Sequence, residues 1–358
     1  MRLMQRRVHA RIAAGVALVL SLALAFSAAR ADDKTYVMKL GTATINESQH
    51  EWCKRFAAMV EKDSDGRIRG EVYPASQLGS VPREIEAMQF GAIQGYVGPP
   101  EFLVGIDERY EVLSAPGLVT DMTHGLRVAG DPDLQKLMLG FGNDKGIHGT
   151  ALFVSQPSSV IVRSAIRHVA DFKGRKLRVL AADMQQAMIK SLGGSPVAMT
   201  LGDVLPALQQ GAIDGAVLAI TVDATMHFWD AAKYVTEANQ TFIFSMAFLS
   251  KQWFDALPKD LQTIVDGDAA KAAAEINPWE VDFFAKQRQT WAEHGEVISL
   301  PADEQAEMMK TLVALGADVA KQKPRLQQAY DVFAAVAKRT KKLRAPAFTP
   351  PERSRCQR

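Results

Sequence analysis

Cysteine is almost missing from this chain. Of 358 residues only Cys53 and Cys356 carry a thiol, one in an expected helix and one near the end, so no disulfide is expected between them. The catalytic signatures G-x-S-x-G, H-E-x-x-H and G-x-x-x-x-G-K-[ST] are also missing. Gly140, Gly142 and Gly146 miss G-x-G-x-x-G by one residue and precede an expected strand, which reads as a turn. His50, His124, His148, His168, His227 and His294 fall in no metal-ligand spacing. Asp203 and Asp214 flank one expected helix without an acid–base partner, and Asp203 is expected to cap its start. No catalytic residue, cofactor or metal is therefore expected. Beyond the first thirty residues no apolar run is long enough to span a membrane.

The ends of the chain are distinctive. MRLMQRRVHAR has no acid, Ile12 to Ala29 has no charge, and Ala29-Arg30-Ala31 forms an A-x-A site. This pattern predicts a signal peptide over residues 1–31, cleaved after Ala31, and hence a periplasmic protein. Its core, Ile12 to Phe26, is shorter than the roughly 20 residues of a membrane-spanning helix. Loss of the five arginines in residues 1–31 turns a net charge of +2 into −3. Residues 338–358 hold eight cations and one acid, a composition that predicts a disordered basic tail. The body between carries −10, which excludes nucleic acid as a natural partner.

Lys34 to Thr44 suits a strand, Ser48 to Asp63 a helix with Trp52, Phe56, Met59 and Val60 on one face, and RIRGEVYP a second strand. That order predicts α/β units with parallel pairing. A weak repeat follows: AMQFGAIQGYV (Ala87 to Val97) matches ALQQGAIDGAV (Ala207 to Val217) at seven of eleven positions. Each copy reads as a helix closed near a glycine, Gly91 or Gly211, then a strand. Two similar lobes are expected, with a crossover near residues 150–156. Pro258 to His294, as one helix, would extend about 55 Å and must cross both lobes or bend, with Gly267 and Pro278 as expected bends.

KGRKLRVL (Lys173 to Leu180) places a cation inside a strand. Alternation puts Leu177 and Val179 on one face and Arg178 on the other. A parallel strand is covered on both faces, so Arg178 needs an anion. The residues leave two partners open: a ligand carboxylate, or a structural salt bridge with Asp183 or Asp214.

Three segments tip that balance. FAAMVEKDSDGRIRGEVYPASQLGSVPREIEAMQFGAIQG, VADFKGRKLRV and GGSPVAMTLGDVLPALQQGAIDG resemble, in order and spacing, the DctP-type solute-binding proteins of tripartite ATP-independent periplasmic (TRAP) transporters. The resemblance implies a two-lobed, Venus-flytrap α/β fold with a long helix spanning both lobes. It implies lobe I from residues 32–155 plus about 243–280, and lobe II from 156–242 plus about 281–337. It further implies a receptor that hands a small organic acid to the membrane subunits of a TRAP transporter. Arg178 inherits the carboxylate-binding role. By the same mapping Pro99, Leu201 and Leu218 line the pocket and Thr44 and Ser158 offer small polar contacts, while Phe228 and Trp229, in ATMHFWD, and Tyr96 are candidate aromatic contacts by residue type. An acid common in the first lobe's ligand loop is replaced within Gly98-Pro99-Pro100, and an arginine of sialic-acid binders is absent near Ser158. The expectation is one carboxylate anchor in a mostly apolar chamber, suited to a monocarboxylate or 2-oxo acid with an apolar body. An exported hydrolase or isomerase, or a receptor feeding a sensor kinase, are the competing readings.

Overall fold

The two hydrophobic periodicities resolve into two α/β units in the computed structural model, which describes residues 34–341. The expected signal peptide and the tail beyond residue 341 lie outside the described residues. Lobe I begins with β1 (Tyr36–Gly41), α1 (Ser48–Asp63), β2 (Ile68–Tyr73), α2 (Val81–Gln89) and β3 (Gly95–Gly98). Two 3-10 segments, Pro100–Leu103 and Glu108–Ser114, lead to α3 (Met122–Ala129), α4 (Pro132–Leu139) and the long β4 (Ile147–Pro157). Lobe II holds β5 (Ser159–Val162), β6 (Lys176–Val179), α5 (Asp183–Ser191), β7 (Ser195–Ala198), α6 (Leu201–Gln209), β8 (Gly215–Leu218), α7 (Ile220–Thr225) and β9 (Tyr234–Glu237). The chain then returns through β10 (Phe242–Ser250), α8 (Lys251–Asp255), α9 (Lys259–His294), β11 (Glu296–Ser299), α10 (Ala302–Lys321) and α11 (Pro324–Lys341).

The sheets run β2-β1-β3-β10-β4 and β11-β9-β5-β8-β6-β7. In each, a parallel trio (β2-β1-β3 or β7-β6-β8) meets an antiparallel strand that enters from the other lobe, β10 or β5. The crossing segments are tied together: Ser158 N–H donates to the Thr241 carbonyl at 2.9 Å, and Asn239 N–H donates to the Ser158 carbonyl at 3.2 Å. Both units bury their sheets under aliphatic and aromatic side chains. In α1 the expected apolar face is covered, with Trp52, Phe56 and Val60 fully buried and Met59 partly buried.

The sequence repeat is a structural one. Gly91 and Gly211 adopt φ of +75° and +72°, the left-handed conformation that closes α2 and α6. The following N–H groups, of Ala92 and Ala212, return to the carbonyls of Ala87 and Ala207 at 2.8 and 2.9 Å. Leu40 pairs with Gly95 in one sheet and Leu177 with Gly215 in the other, so Arg178 occupies the position that Gly41 holds in lobe I. At the start of α6 the cap is Thr200, whose hydroxyl donates to Asp203 at 2.6 Å, so Asp203 sits one turn inside the helix and is not itself the cap.

Helix α9 runs unbroken through Gly267 and Pro278, where bends were expected. At 36 residues it is about 54 Å long, and it packs on α1 and β4 of lobe I and on α7 and β11 of lobe II. Helix α10 lies on α5, but α11 returns to lobe I, against residues 108–114, α3 and α4. Arg339 bonds Asp131 and Asp133, and Arg127 Nε donates to the Thr340 carbonyl at 2.9 Å. The sequence-based boundary put residues up to 337 in lobe II and began a disordered tail at 338. Instead α11 packs on lobe I and runs through residues 338–341, where Arg339 pairs with Asp131 and Asp133.

The glycines give a stability test. A β-carbon at Gly215 would overlap the Ile161 carbonyl and the Val162 side chain, whereas one at Gly202 meets nothing within 4 Å. Gly215→Ala is expected to lower the unfolding free energy by about 2 kcal/mol or more, and Gly202→Ala to leave it unchanged or raise it by up to about 1 kcal/mol, in urea titrations followed by circular dichroism.

Candidate ligand-binding site

The carboxyl ends of β1, β3, β6 and β8 converge between the lobes, where open α/β sheets place their ligands. They enclose a cavity that is partly open to solvent. Arg178 enters it from β6 and is only 2 % exposed. Its Nε donates to the Met199 carbonyl at 3.0 Å and one terminal nitrogen to the Val217 carbonyl at 3.3 Å. A guanidinium has five N–H donors, so the protein fixes its plane and leaves donors over.

No carboxylate lies within ion-pair distance of Arg178 among the described residues. Both acids considered as structural partners are engaged elsewhere: Asp214 accepts the Lys176 N–H at 2.8 Å, and Asp183 accepts from Lys323 at 2.8 Å. Burial pulls the Arg178 pKa down to about 10, with Asp223 and Tyr96 opposing that shift through space, so the group is cationic at neutral pH. Asp223, on α7, is fully buried and neither oxygen has a hydrogen-bond partner. Desolvation holds its pKa well above the carboxylate range, against the pull of Arg178.

Six residues expected at the site line this one cavity: Arg178, Thr44, Pro99, Ser158, Leu201 and Leu218. Thr44 is bound into a network with Glu47, Gln49 and Thr42. Ser158 Oγ accepts from the N–H and the hydroxyl of Thr241, each at 3.2 Å, which places it on the crossover itself. Tyr96 and Trp229 do not line the cavity. Tyr96 is fully buried in β3 with its ring lying along the strand, so that a β-carbon at Gly98 would collide with its hydroxyl. Trp229 stacks between His227 and His294, at centroid distances of 4.7 and 4.2 Å, and fastens lobe II to the end of α9. The aromatic surface of the cavity comes from Phe102 and Phe242 instead.

The chamber is also less apolar than expected. Glu47, Gln49, Glu101, Gln156 and Gln185 all face it. Glu47 caps α1, its Oε1 accepting from the N–H groups of Gln49 and His50 at 2.9 and 3.2 Å. Glu101 Oε1 accepts from Ser114 Oγ at 2.7 Å, and burial pushes its pKa up to about 7. Near the crossover, Gln156 Oε1 accepts the Thr221 N–H at 3.2 Å, and Gln156 Nε2 donates to Glu280 of α9 at 3.4 Å, so both lobes and the spanning helix meet there. One signal for Glu101 was in the sequence: it directly follows Pro99-Pro100, where an acid seemed to have been replaced. Among the described residues no group of three or more His, Cys, Asp or Glu side chains is placed to hold a metal ion.

Comparisons with known proteins agree with this geometry. The DctP family model, described as bacterial extracellular solute-binding protein, family 7, matches residues 41–323. The C4-dicarboxylate-binding periplasmic protein DctP of Rhodobacter capsulatus is 27 % identical over 274 residues, 74 % of this chain and 80 % of that protein. A TRAP periplasmic solute binding protein from Desulfovibrio salexigens, with bound orotic acid, superposes with a TM-score of 0.81 at 20 % identity, covering 86 % of this chain and all of that one. Another, from Shewanella oneidensis with bound succinate, gives 0.78 at 20 % identity, covering 85 % and 99 %.

The buried acids predict a pH dependence. Desolvation raises the pKa of Glu101 to about 7, so from about pH 4.5 to 7 the folded protein retains a proton that the unfolded chain has lost. Its contribution to stability is complete below about pH 4.5 and falls as pH rises through 7, by up to about 3 kcal/mol. Urea unfolding of wild type and Glu101→Gln at pH 5 and pH 8 is expected to show a smaller loss of stability in the variant.

Proposed function

The chain belongs to the DctP family, the bacterial extracellular solute-binding proteins of family 7, and on that premise we propose that it captures a monocarboxylate and presents it to a TRAP transporter. The carrying observation is the Arg178 guanidinium, buried between two lobes, fixed by two carbonyls and, among the described residues, in ion-pair contact with no carboxylate. A planar fork of donors matches a carboxylate, and a charge-assisted bond of this kind contributes about 1.5 to 3 kcal/mol. The relatives are named for, or hold, organic acids, which supports an acid here as well. Two features favour a single carboxylate. Glu47 and Glu101 share the cavity and would repel a second one, and Leu201, Leu218, Val222, Phe102 and Phe242 supply walls for an apolar body such as that of a branched 2-oxo acid.

The mechanism follows from the connections. In the open form Arg178 meets water and captures the acid. The lobes then rotate about the paired crossovers at Ser158 and Thr241 and along α9, excluding water and strengthening the ion pair. The closed surface is what the membrane subunits of the transporter recognise, in the periplasm. No helix among the described residues is long and apolar enough to cross a membrane, so the membrane step falls to the partner. The protein acts as a receptor and returns its acid unaltered.

A thermal-shift screen across mono-, di- and 2-oxo acids tests this reading. At ligand concentrations about 100-fold above Kd, stabilisation of about 2.7 kcal/mol is expected, with the acid recovered unchanged by chromatography. Arg178→Ala is expected to abolish the shift without unfolding the protein, and Arg178→Lys to weaken it, because a point charge does not replace a bidentate fork. Undiminished binding in both variants, or conversion of the acid to product, contradicts it.

A further inference from the structure

Carboxylate capture by Arg178 leaves one cavity acid unexplained. Glu101 stands on the 3-10 turn after β3 and is 3 % exposed. Ser114 Oγ donates to its Oε1 at 2.7 Å, and Gln185 Nε2 donates to Ser114 Oγ at 3.1 Å. Gln185 belongs to α5 of lobe II and also lines the cavity, and its Oε1 accepts the Leu180 N–H at 2.9 Å. The relay therefore crosses between lobes and fixes the Glu101 carboxyl when the lobes are together. The same seam is clamped farther out, where Lys323 donates to Glu111 at 2.7 Å and to Asp183 at 2.8 Å, and Glu111 Oε2 accepts the Met184 N–H at 3.3 Å.

With Oε1 so engaged, Glu101 Oε2 is left without any hydrogen-bond partner among the described residues. Buried carboxyl oxygens are seldom left this way, because desolvation without a compensating bond is costly. No Lys, Arg or His reaches Glu101 within ion-pair distance among the described residues. The site is built on one side and open in its bonding on the other.

Resting on the receptor reading above, we propose that Glu101 Oε2 receives a hydroxyl of the solute, which makes the ligand a hydroxylated monocarboxylate. Its carboxylate lies on Arg178 in lobe II, its hydroxyl on Glu101 in lobe I, and its apolar remainder against Leu201, Leu218 and Phe242. A ligand held in this way bridges the lobes, so recognition of the hydroxyl and closure become one event. A hydroxyl also suits an acid that burial holds near its midpoint at neutral pH, since it can donate to the ionised form and accept from the neutral one. An ammonium group requires the ionised form alone. This narrows the apolar 2-oxo acid reading: the body stays apolar, but one position carries a hydroxyl.

The test is calorimetric titration of the purified protein at pH 7 with a branched six-carbon monocarboxylate and its 2-hydroxy, 3-hydroxy, 4-hydroxy, 2-oxo and 2-amino derivatives. One hydroxy derivative is expected to bind about tenfold or more tightly than the parent acid. In Glu101→Gln the amide carbonyl takes the Ser114 bond and the hydroxyl can only accept a weaker, neutral bond from the N–H2 group, so that margin is expected to fall below about threefold. Ser114→Ala, which frees the carboxyl to rotate, is expected to narrow the margin too and serves if Glu101→Gln does not fold. The proposal is overturned if the parent, oxo or amino acid binds as tightly as every hydroxy derivative, or if the margin survives both substitutions. Binding of the parent with no hydroxyl margin removes this proposal and leaves the receptor reading intact, whereas failure of all six acids to bind removes both.

Discussion

A guanidinium kept charged while almost wholly buried is the constraint around which the rest of this protein is arranged. Removing an ion from water without a paired counter-ion costs several kcal/mol, and among the described residues no carboxylate is in ion-pair contact with Arg178. Two backbone carbonyls hold its plane, and burial keeps the pKa of Asp223, the acid that acts on it through space, well above the carboxylate range. Among the described residues no side chain neutralises the cation by an ion pair, and in the proposed receptor an anion entering the cavity does so and replaces the lost hydration of Arg178.

The fold supplies that situation by duplication with one difference. Each lobe repeats a parallel trio, a helix closed by a left-handed glycine, and an antiparallel strand from its neighbour. At equivalent positions lobe I has Gly41 and lobe II has Arg178. Lobe I therefore contributes acids and walls, and lobe II the cation, so that neither half-site is complete alone. The connections limit how the halves move: two hydrogen-bonded crossovers, one unbroken helix of 36 residues, and the α10–α11 turn, which passes from lobe II back to lobe I. Such a frame favours rotation of rigid lobes over local loop closure.

Much of this was legible in the residues, and the limits have physical causes. The amphipathic face of Ser48 to Asp63, the paired helix–glycine–strand units and the unusual cation at Arg178 all arise from local periodicity, which sequence carries directly. The docking of α11 on lobe I buries Leu326, Phe333 and Val336 and adds ion pairs from Arg339 to two aspartates about two hundred positions away, and no local pattern records which lobe the helix meets. Pro278 signalled a bend by its chemistry, yet the buried alanine face of α9 against α1 keeps the helix continuous. Tyr96 and Trp229 looked like ligand contacts because aromatic side chains serve both cores and pockets, and only their packing distinguishes the two. Glu47 and Glu101 were overlooked for the opposite reason, since a buried acid has the same sequence signature as an exposed one.

The most direct measurement is a crystal structure of the protein with a monocarboxylate bound. The account predicts a closed cleft with the carboxylate on the free N–H donors of Arg178 at about 2.7 to 2.9 Å, while its bonds to the Met199 and Val217 carbonyls persist. A complex in which Arg178 has turned to pair with Asp223, and the acid lies elsewhere, would contradict it.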